Sequence, residues 1–331
     1  METRRPTSPA AEEILGGYFP VLDHGFVALV DYMGGDEDVE RAARVSYGYG
    51  TRKRSATRGL IRYLRRHRHT TPSEMVELKF HCCMPIFVAR QWVRHRMASL
   101  NEYSGRYSLI PLLFYMPERE DFALQSRSNR QGRQTESAGE ALHLEAVRRW
   151  ERGREEAAGL YEWLVGEDVA RELARIDLPL STYTQWYWKI DLHNLLHFLS
   201  LRVDLHAQKE IRAYGEIMAG MLKRVAPLSY EAWIDYQVAG TVLSRGELEA
   251  VRRLLEPVGE EEGIRVREGA AGLDGAALKG LGLSGREVWE LLDKLGPAGR
   301  PEFDLDLSEM KSAEHFAAIM ERAVPGADVE G

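Results

Sequence analysis

The stretch that most constrains this chain runs from Val76 to Tyr107, where the residue pattern changes twice. Val76 to Cys82 alternates apolar and polar residues, the period of a half-buried strand, and Pro85 ends it. Ile86 to Arg96 then reads as a helix carrying Gln91, Trp92 and Arg94. From Arg90 to Tyr107 come four arginines, one histidine, several amides and hydroxyls, and a single acid, Glu102. A solvated helix face would interleave acids with such bases. Arginine presents a planar fork of donors that fits phosphate oxygens two at a time. Ser104 and the Gly105 amide add neutral donors, and Gly105 admits a close backbone approach. The segment therefore reads equally well as a phosphate cradle or as an inter-helix salt-bridge network.

Charge narrows the setting. The 331 residues, 44% apolar and 29% charged, suit one large globular domain or one domain with an appendage. Residues 241–331 hold 11 Lys and Arg against 19 Asp and Glu, a net of -8, which leaves +1 for residues 1–240. The first 240 residues are thus balanced and able to hold local basic sites for anions. Cys82 and Cys83 are adjacent, which excludes a disulfide framework and points to a reducing cytoplasm. No apolar run is long enough to cross a bilayer, so no membrane association is expected. Residues 1–20 read as a disordered lead-in.

Elsewhere, Gly25–Met33 reads as a strand closed by Gly34-Gly35, and Asp36–Val45 as a helix. Residues 52–68 form a basic amphipathic helix, and Thr71 with Glu74 makes a capping box. Residues 117–140 look like a mobile excursion. Residues 141–176 and 183–224 show helical spacing, and Pro227–Tyr230 starts a further short helix. After about residue 240 the composition shifts to Gly, Glu and Leu. Gly280 to Gly285 fits G-x-G-x-x-G, but no apolar strand precedes it. Ser284 and Glu287 instead cap a helix over 286–295. Residues 241–331 are expected to be an acidic, mainly helical extension beside a domain over 21–240.

Spacing separates the two readings of the basic cluster. Arg94-His95-Arg96, seven residues and then Ser104 resembles the R-H-R-x7-S signature of the flavin-dependent thymidylate synthases. His67 to Pro72, Ala174 to Leu180, Asp191 to Arg202 and His206 to Arg212 are similar to further segments of that family. The resemblance covers about residues 22–240. It implies an α+β fold, with a mixed or antiparallel sheet flanked by helices and a long helical segment. It implies dUMP contacts at Gln91, Trp92, Val93, Arg94, Glu102, Tyr103, Ser104, Gly105, Arg106, Arg175 and Arg202. It implies FAD contacts at His69, Thr71, Arg94, His95, Arg96, Glu102, Asp191, Leu192, His193 and His197. Methylenetetrahydrofolate as one-carbon donor, NADPH as reductant of FAD, and a homotetramer with shared active sites follow from the same resemblance.

In that chemistry C5 of uracil must become carbanion-like. A fixed cation beside the pyrimidine edge stabilises the developing charge, and the resemblance gives this catalytic role to Arg202. Ser104 has no general base at a fixed spacing and is expected to bind the nucleotide rather than attack it. Two other classes remain. His193 and His197 share a helix face with metal-pair spacing, but without the Glu of H-E-x-x-H. The basic helix 52–68 suits RNA, although an RNA module leaves the matched segments at 174–180 and 191–212 unexplained. Neither a metal nor a nucleic acid is the expected partner.

Overall fold

The computed structural model describes residues 7–45, 57–126, 132–259, 263–266, 268, 272–296 and 299–326. The chain divides into two compact units, Met1–Ala232 with Phe303–Gly331, and Trp233–Glu302.

The first unit is built on an antiparallel sheet of strands β1 (Tyr18–Val21), β2 (Gly25–Met33), β3 (Glu77–Pro85), β4 (Ser99–Glu102) and β7 (Tyr183–Asp191). Their order is β1-β2-β3-β7-β4. Gly25 is required at the β1–β2 turn, because a Cβ there would meet the Tyr214 hydroxyl at 2.1 Å and the Val21 carbonyl at 2.6 Å. The helices of this unit are α1 (Pro9–Glu12), α2 (Asp36–Val45), α3 (Thr57–Arg66), α4 (Ile86–Trp92), α5 (Glu140–Gly166), α6 (Arg171–Ala174), α7 (Leu192–Arg202), α8 (Lys209–Val225) and α9 (Pro227–Trp233), the last running one residue into the second unit. A short hairpin, β5 (Ala123–Gln125) and β6 (Arg133–Ser137), precedes α5.

The expected α+β class and antiparallel sheet are present, with three local differences. Residues 183–191 form the strand β7, not the start of a helix. Trp186, Trp188 and Ile190 point inward and are buried, while Gln185, Tyr187 and Lys189 alternate with them. Aromatic side chains on both faces blur that period-two pattern in the sequence. The lead-in is ordered over its described residues 7–20, where α1 packs on α8 and β1 joins the sheet edge. The capping box at Thr71 is not formed, since Thr71–Met75 is a 3₁₀ turn without a side-chain cap.

One sheet face is covered by α4, α7 and α8. Trp92 sits at their meeting point, fully buried, with its ring 5.5 Å from Trp186, 5.3 Å from Trp188, 5.1 Å from Phe198 and 5.8 Å from Tyr214. The excursion after Pro117 is tied down by a buried acid. Arg133 Nη2 donates to both Glu210 oxygens at 2.6 and 2.7 Å, and the Tyr115 hydroxyl donates to one of them at 3.1 Å. Burial pushes Glu210 up, but Arg133 more than offsets this and holds it below the usual carboxylate range.

The second unit contains α10 (Arg245–Leu254), the hairpin β8 (Leu255–Gly259) and β9 (Gly263–Val266), α11 (Gly275–Gly280) and α12 (Gly285–Lys294). Both α10 and α12 open on complete capping boxes, Ser244 with Glu247 and Ser284 with Glu287. The glycines at 280–285 thus serve a helix entry. The expected extension over 241–331 is not one body. After Glu302 the chain rejoins the first unit, and α13 (Ala313–Arg322) buries Phe316 against Tyr18 and Phe26.

Trp92→Ala should cost about 3–5 kcal/mol of stability by leaving a cavity between sheet and helices. Chemical denaturation of the two proteins measures it, and an unchanged midpoint contradicts this packing.

Candidate functional site

Antiparallel pairing with β7 carries β4 along the sheet edge, with Ser99 opposite Lys189 and Glu102 opposite Trp186. The Tyr103 amide donates to the Gln185 carbonyl at 2.8 Å, and the chain then turns. The Ser104 carbonyl accepts from the Tyr107 and Ser108 amides at 3.1 and 3.0 Å, while Ser104 Oγ accepts from the Arg106 amide at 3.3 Å. Gly105 is buried here, and a Cβ on it would meet Ile110 at 2.6 Å and Arg175 Cδ at 3.2 Å. The turn encloses a cleft of about 270 Å³ whose lining includes Glu102, Tyr103, Ser104, Gly105 and Arg175. Five of the expected nucleotide contacts thus meet in one place. Ile86, Ile110, Tyr183 and Thr184 complete the wall and were not anticipated. Thr184 Oγ1 donates to Glu102 Oε1 at 2.7 Å. Its inward position on β7 was the available signal, and it was missed with the strand itself.

A second group lies beyond the end of α4. Arg94 and Arg96 are exposed and His95 is half-buried. Arg202, at the end of α7, donates through Nε to His95 Nε2 at 3.1 Å, so that nitrogen carries the lone pair and any ring proton sits on Nδ1. His197 is exposed, with its ring 6.3 Å from that of His95, and Phe198 lies edge-on at 4.8 Å. Burial first, and then the Arg202 and His197 charges, push His95 down to about 4. A neutral imidazole is therefore what orients the Arg202 guanidinium. Burial also lowers Arg202 from its ordinary value. Gln91 projects nearby from α4 and donates to Gln208.

A third group gathers where the Thr71–Met75 turn packs against α7. Thr71 is exposed, Asp191 caps α7 by accepting the Asn194 amide at 2.9 Å, and His193 has a buried Nδ1 with no hydrogen-bond partner among the described residues. His69 is exposed, with its ring 6.0 Å from Tyr63.

Two expected contacts are corrected. Trp92 and Leu192 are fully buried, Trp92 among the aromatic rings of the core, and neither side chain is available to a ligand. Val93 is only half-buried, at the C-cap of α4. Arg106 is exposed and pairs with Glu172 at 2.9 Å. By contrast Arg90, Arg94, Arg96 and Arg175 have no carboxylate within salt-bridge distance among the described residues, and Arg202 bonds only the neutral imidazole. A salt-bridge network is thereby disfavoured. Guanidinium groups without a carboxylate partner are suited to an anion.

Among the described residues no group of three or more His, Cys, Asp and Glu is placed to hold a metal ion. On α3 the Arg58 and Arg62 guanidinium groups bond Glu231, so part of that basic face already has its counter-charge, while residues 52–56 lie outside the described residues. Cys82 and Cys83 are buried, and burial pushes both thiols up, which denies a thiolate nucleophile.

The family model described as Thymidylate synthase complementing protein matches residues 28–228. The chain belongs to that family, which is that of the flavin-dependent thymidylate synthases. A relative from Gluconobacter oxydans (strain 621H), named flavin-dependent thymidylate synthase, is 54% identical over 286 residues, covering 83% of this chain and 93% of that one. A protein of the same name from Treponema denticola is 50% identical over 250 residues, covering 76% and 93%. Among solved structures, the UMP/dUMP methylase PolB of Streptomyces cacaoi bound with 5-Br dUMP superposes with a TM-score of 0.60 at 33% identity, over 66% of this chain and 97% of that one.

His95 gives a pH prediction. Its folded value lies below the unfolded one of about 6.5, so the unfolded chain binds the proton first as pH falls. This contribution to stability is complete above about pH 6.5 and declines toward the folded value near 4. Unfolding midpoints across that window should fall less steeply in His95→Gln. Equal slopes contradict a neutral His95.

Proposed function

We propose that this enzyme converts dUMP to dTMP by reductive methylation, with methylenetetrahydrofolate as one-carbon donor and FAD reduced by NADPH. The observation that carries the reading is Arg175, without a carboxylate partner among the described residues, in a cleft lined by Glu102 to Gly105, together with Arg94 and Arg96, likewise without one, on the segment that leads into it. A nucleotide monophosphate supplies the missing anion and a planar base together. Arg175, Arg94, Arg106, Gln91 and the Ser104-Gly105 turn hold the phosphate and sugar. Glu102 is held in place by Thr184 and faces the same cleft. Arg202, oriented by His95, supplies the fixed positive charge at the pyrimidine edge.

The residues around α7 fit a flavin. The buried His193 Nδ1 lacks a partner among the described residues, Thr71 and His69 are exposed, and the exposed His197 has its ring 6.3 Å from that of His95. Together with Asp191, these residues hold the cofactor, which supplies the reducing equivalents when bound. The protein's own task is to orient the base, keep Arg202 charged and hold the nucleotide against the flavin ring.

The cleft lining does not include Arg94, His95, Arg96 or Arg202. This supports a site completed between subunits, with the cleft of one chain meeting the basic corner of another in a homotetramer. The exposed side chains of Met97, Leu100 and Tyr187 lie along that edge and suit such burial. The cytoplasm is the proposed location.

Tritium release from C5-labelled dUMP, with methylenetetrahydrofolate, FAD and NADPH, tests the reading. Turnover with dTMP as product is expected, and a colourless protein that releases no tritium contradicts it. Arg202→Ala should lose about 3 kcal/mol of transition-state stabilisation in kcat/KM while retaining flavin. Ser104→Ala should weaken turnover without abolishing it. Complete loss with normal dUMP and FAD binding would make Ser104 a nucleophile.

A further inference from the structure

The family model ends at residue 228, yet Phe303–Val324 lies against the sheet of the first unit. The contacts are continuous. The Phe303 amide donates to the Tyr230 hydroxyl at 2.9 Å, and Lys223 pairs with Asp304 at 2.7 Å. Leu305 occupies the space left by Gly220, where a Cβ would come within 2.9 Å of it. Lys311 exchanges both backbone hydrogen bonds with Tyr18, at 3.0 and 2.8 Å. Phe316 then inserts into the sheet face, 4.7 Å from the Phe26 ring and 5.9 Å from the Tyr18 ring, and is 5% exposed.

The end of this segment reaches the nucleotide turn. The Ala323 carbonyl accepts the Leu112 amide at 2.8 Å. The loop Tyr103–Leu112 is thus tied at its start to β7 through Gln185, in its middle to α5, where the Ile110 amide donates to the Tyr161 hydroxyl at 2.9 Å, and at its end to the residue after α13. Tyr103 is the wall between two spaces. It lines the nucleotide cleft and also a cavity of about 350 Å³ lined by Phe316 and Met320 of α13. Ile110, whose side chain fills the space beside Gly105, lies two residues from the Ala323 bond.

We propose that the returning segment is a positioning strap: Phe316 and the Ala323 carbonyl set the loop Tyr103–Leu112, and with it Ser104 and Gly105, at the distance that grips the nucleotide. Phe316 is a positioning residue, acting through Tyr103 and the loop. The role rests on dUMP being the ligand of that cleft. It assigns a task to a part of the chain beyond the residues that the family model matches.

The test compares the full-length, flavin-loaded protein with Phe316→Ala, Phe316→Leu and the milder Met320→Ala. KM for dUMP should rise about ten-fold in Phe316→Ala, a displacement effect, with kcat and the flavin spectrum little changed. Phe316→Leu should recover most of the loss. In Met320→Ala, amide exchange should quicken at Ser108 and Leu112 but not in β3. If Phe316→Ala does not fold, Met320→Ala decides by the same readings. A folded variant with less thermal stability but wild-type KM and unchanged exchange at Leu112 overturns the strap. If the unaltered protein has no affinity for dUMP, the nucleotide reading fails and this role falls with it.

Discussion

The contact on which the site depends is the burial of Trp92 among Trp186, Trp188, Phe198 and Tyr214. It joins the end of α4 to β7, α7 and α8 at a single point. Because Trp92 is locked there, the residues that follow it have no room in the core and emerge at the sheet edge as a run of cations. The same packing sets α7, whose far end brings Arg202 to His95. A rigid aromatic cluster thus lies directly beneath the groups that must hold their positions, which is how a site keeps charges preorganised.

Electrostatics then distinguishes this edge from an ordinary basic surface. Elsewhere in the molecule arginines find acids: Arg133 with Glu210, Arg58 and Arg62 with Glu231, Arg224 with Glu13. Among the described residues Arg94, Arg96 and Arg175 do not, and Arg202 rests on a histidine that burial keeps neutral. Guanidinium groups without a counter-charge can take an anionic ligand, and its binding stabilises the folded state. Glu102 lies within this segment without an arginine partner among the described residues, and its hydrogen bond from Thr184 fixes where its carboxyl group points.

Much of this was legible in the sequence. Val76–Cys82 announced β3 by strict alternation, and the spacing from Arg94 to Ser104 pointed to the family because those residues lie close along the chain. What stayed hidden depends on tertiary contact. Trp92 sits two residues ahead of the motif, and nothing local separates a core indole from a ligand contact. The strand Tyr183–Asp191 carries aromatic residues on both faces, so its period was masked and Thr184 was missed with it. The return of Phe303–Val324 to the sheet could not be read from composition, because its acidic, helical character matches that of the separate unit before it. Its anchoring residues, Phe316 and Lys311, gain meaning only beside Tyr18 and Phe26.

The central claim is that unpaired guanidinium groups along this edge bind a uridine nucleotide next to a flavin. Calorimetric titration of dUMP into the purified, flavin-loaded protein addresses it directly, at low and at high salt. Saturable binding that weakens as salt rises, and that is lost in Arg175→Ala, is the expected result. Heat no larger than dilution at low ionic strength, with a correctly folded and flavin-loaded protein, would contradict it.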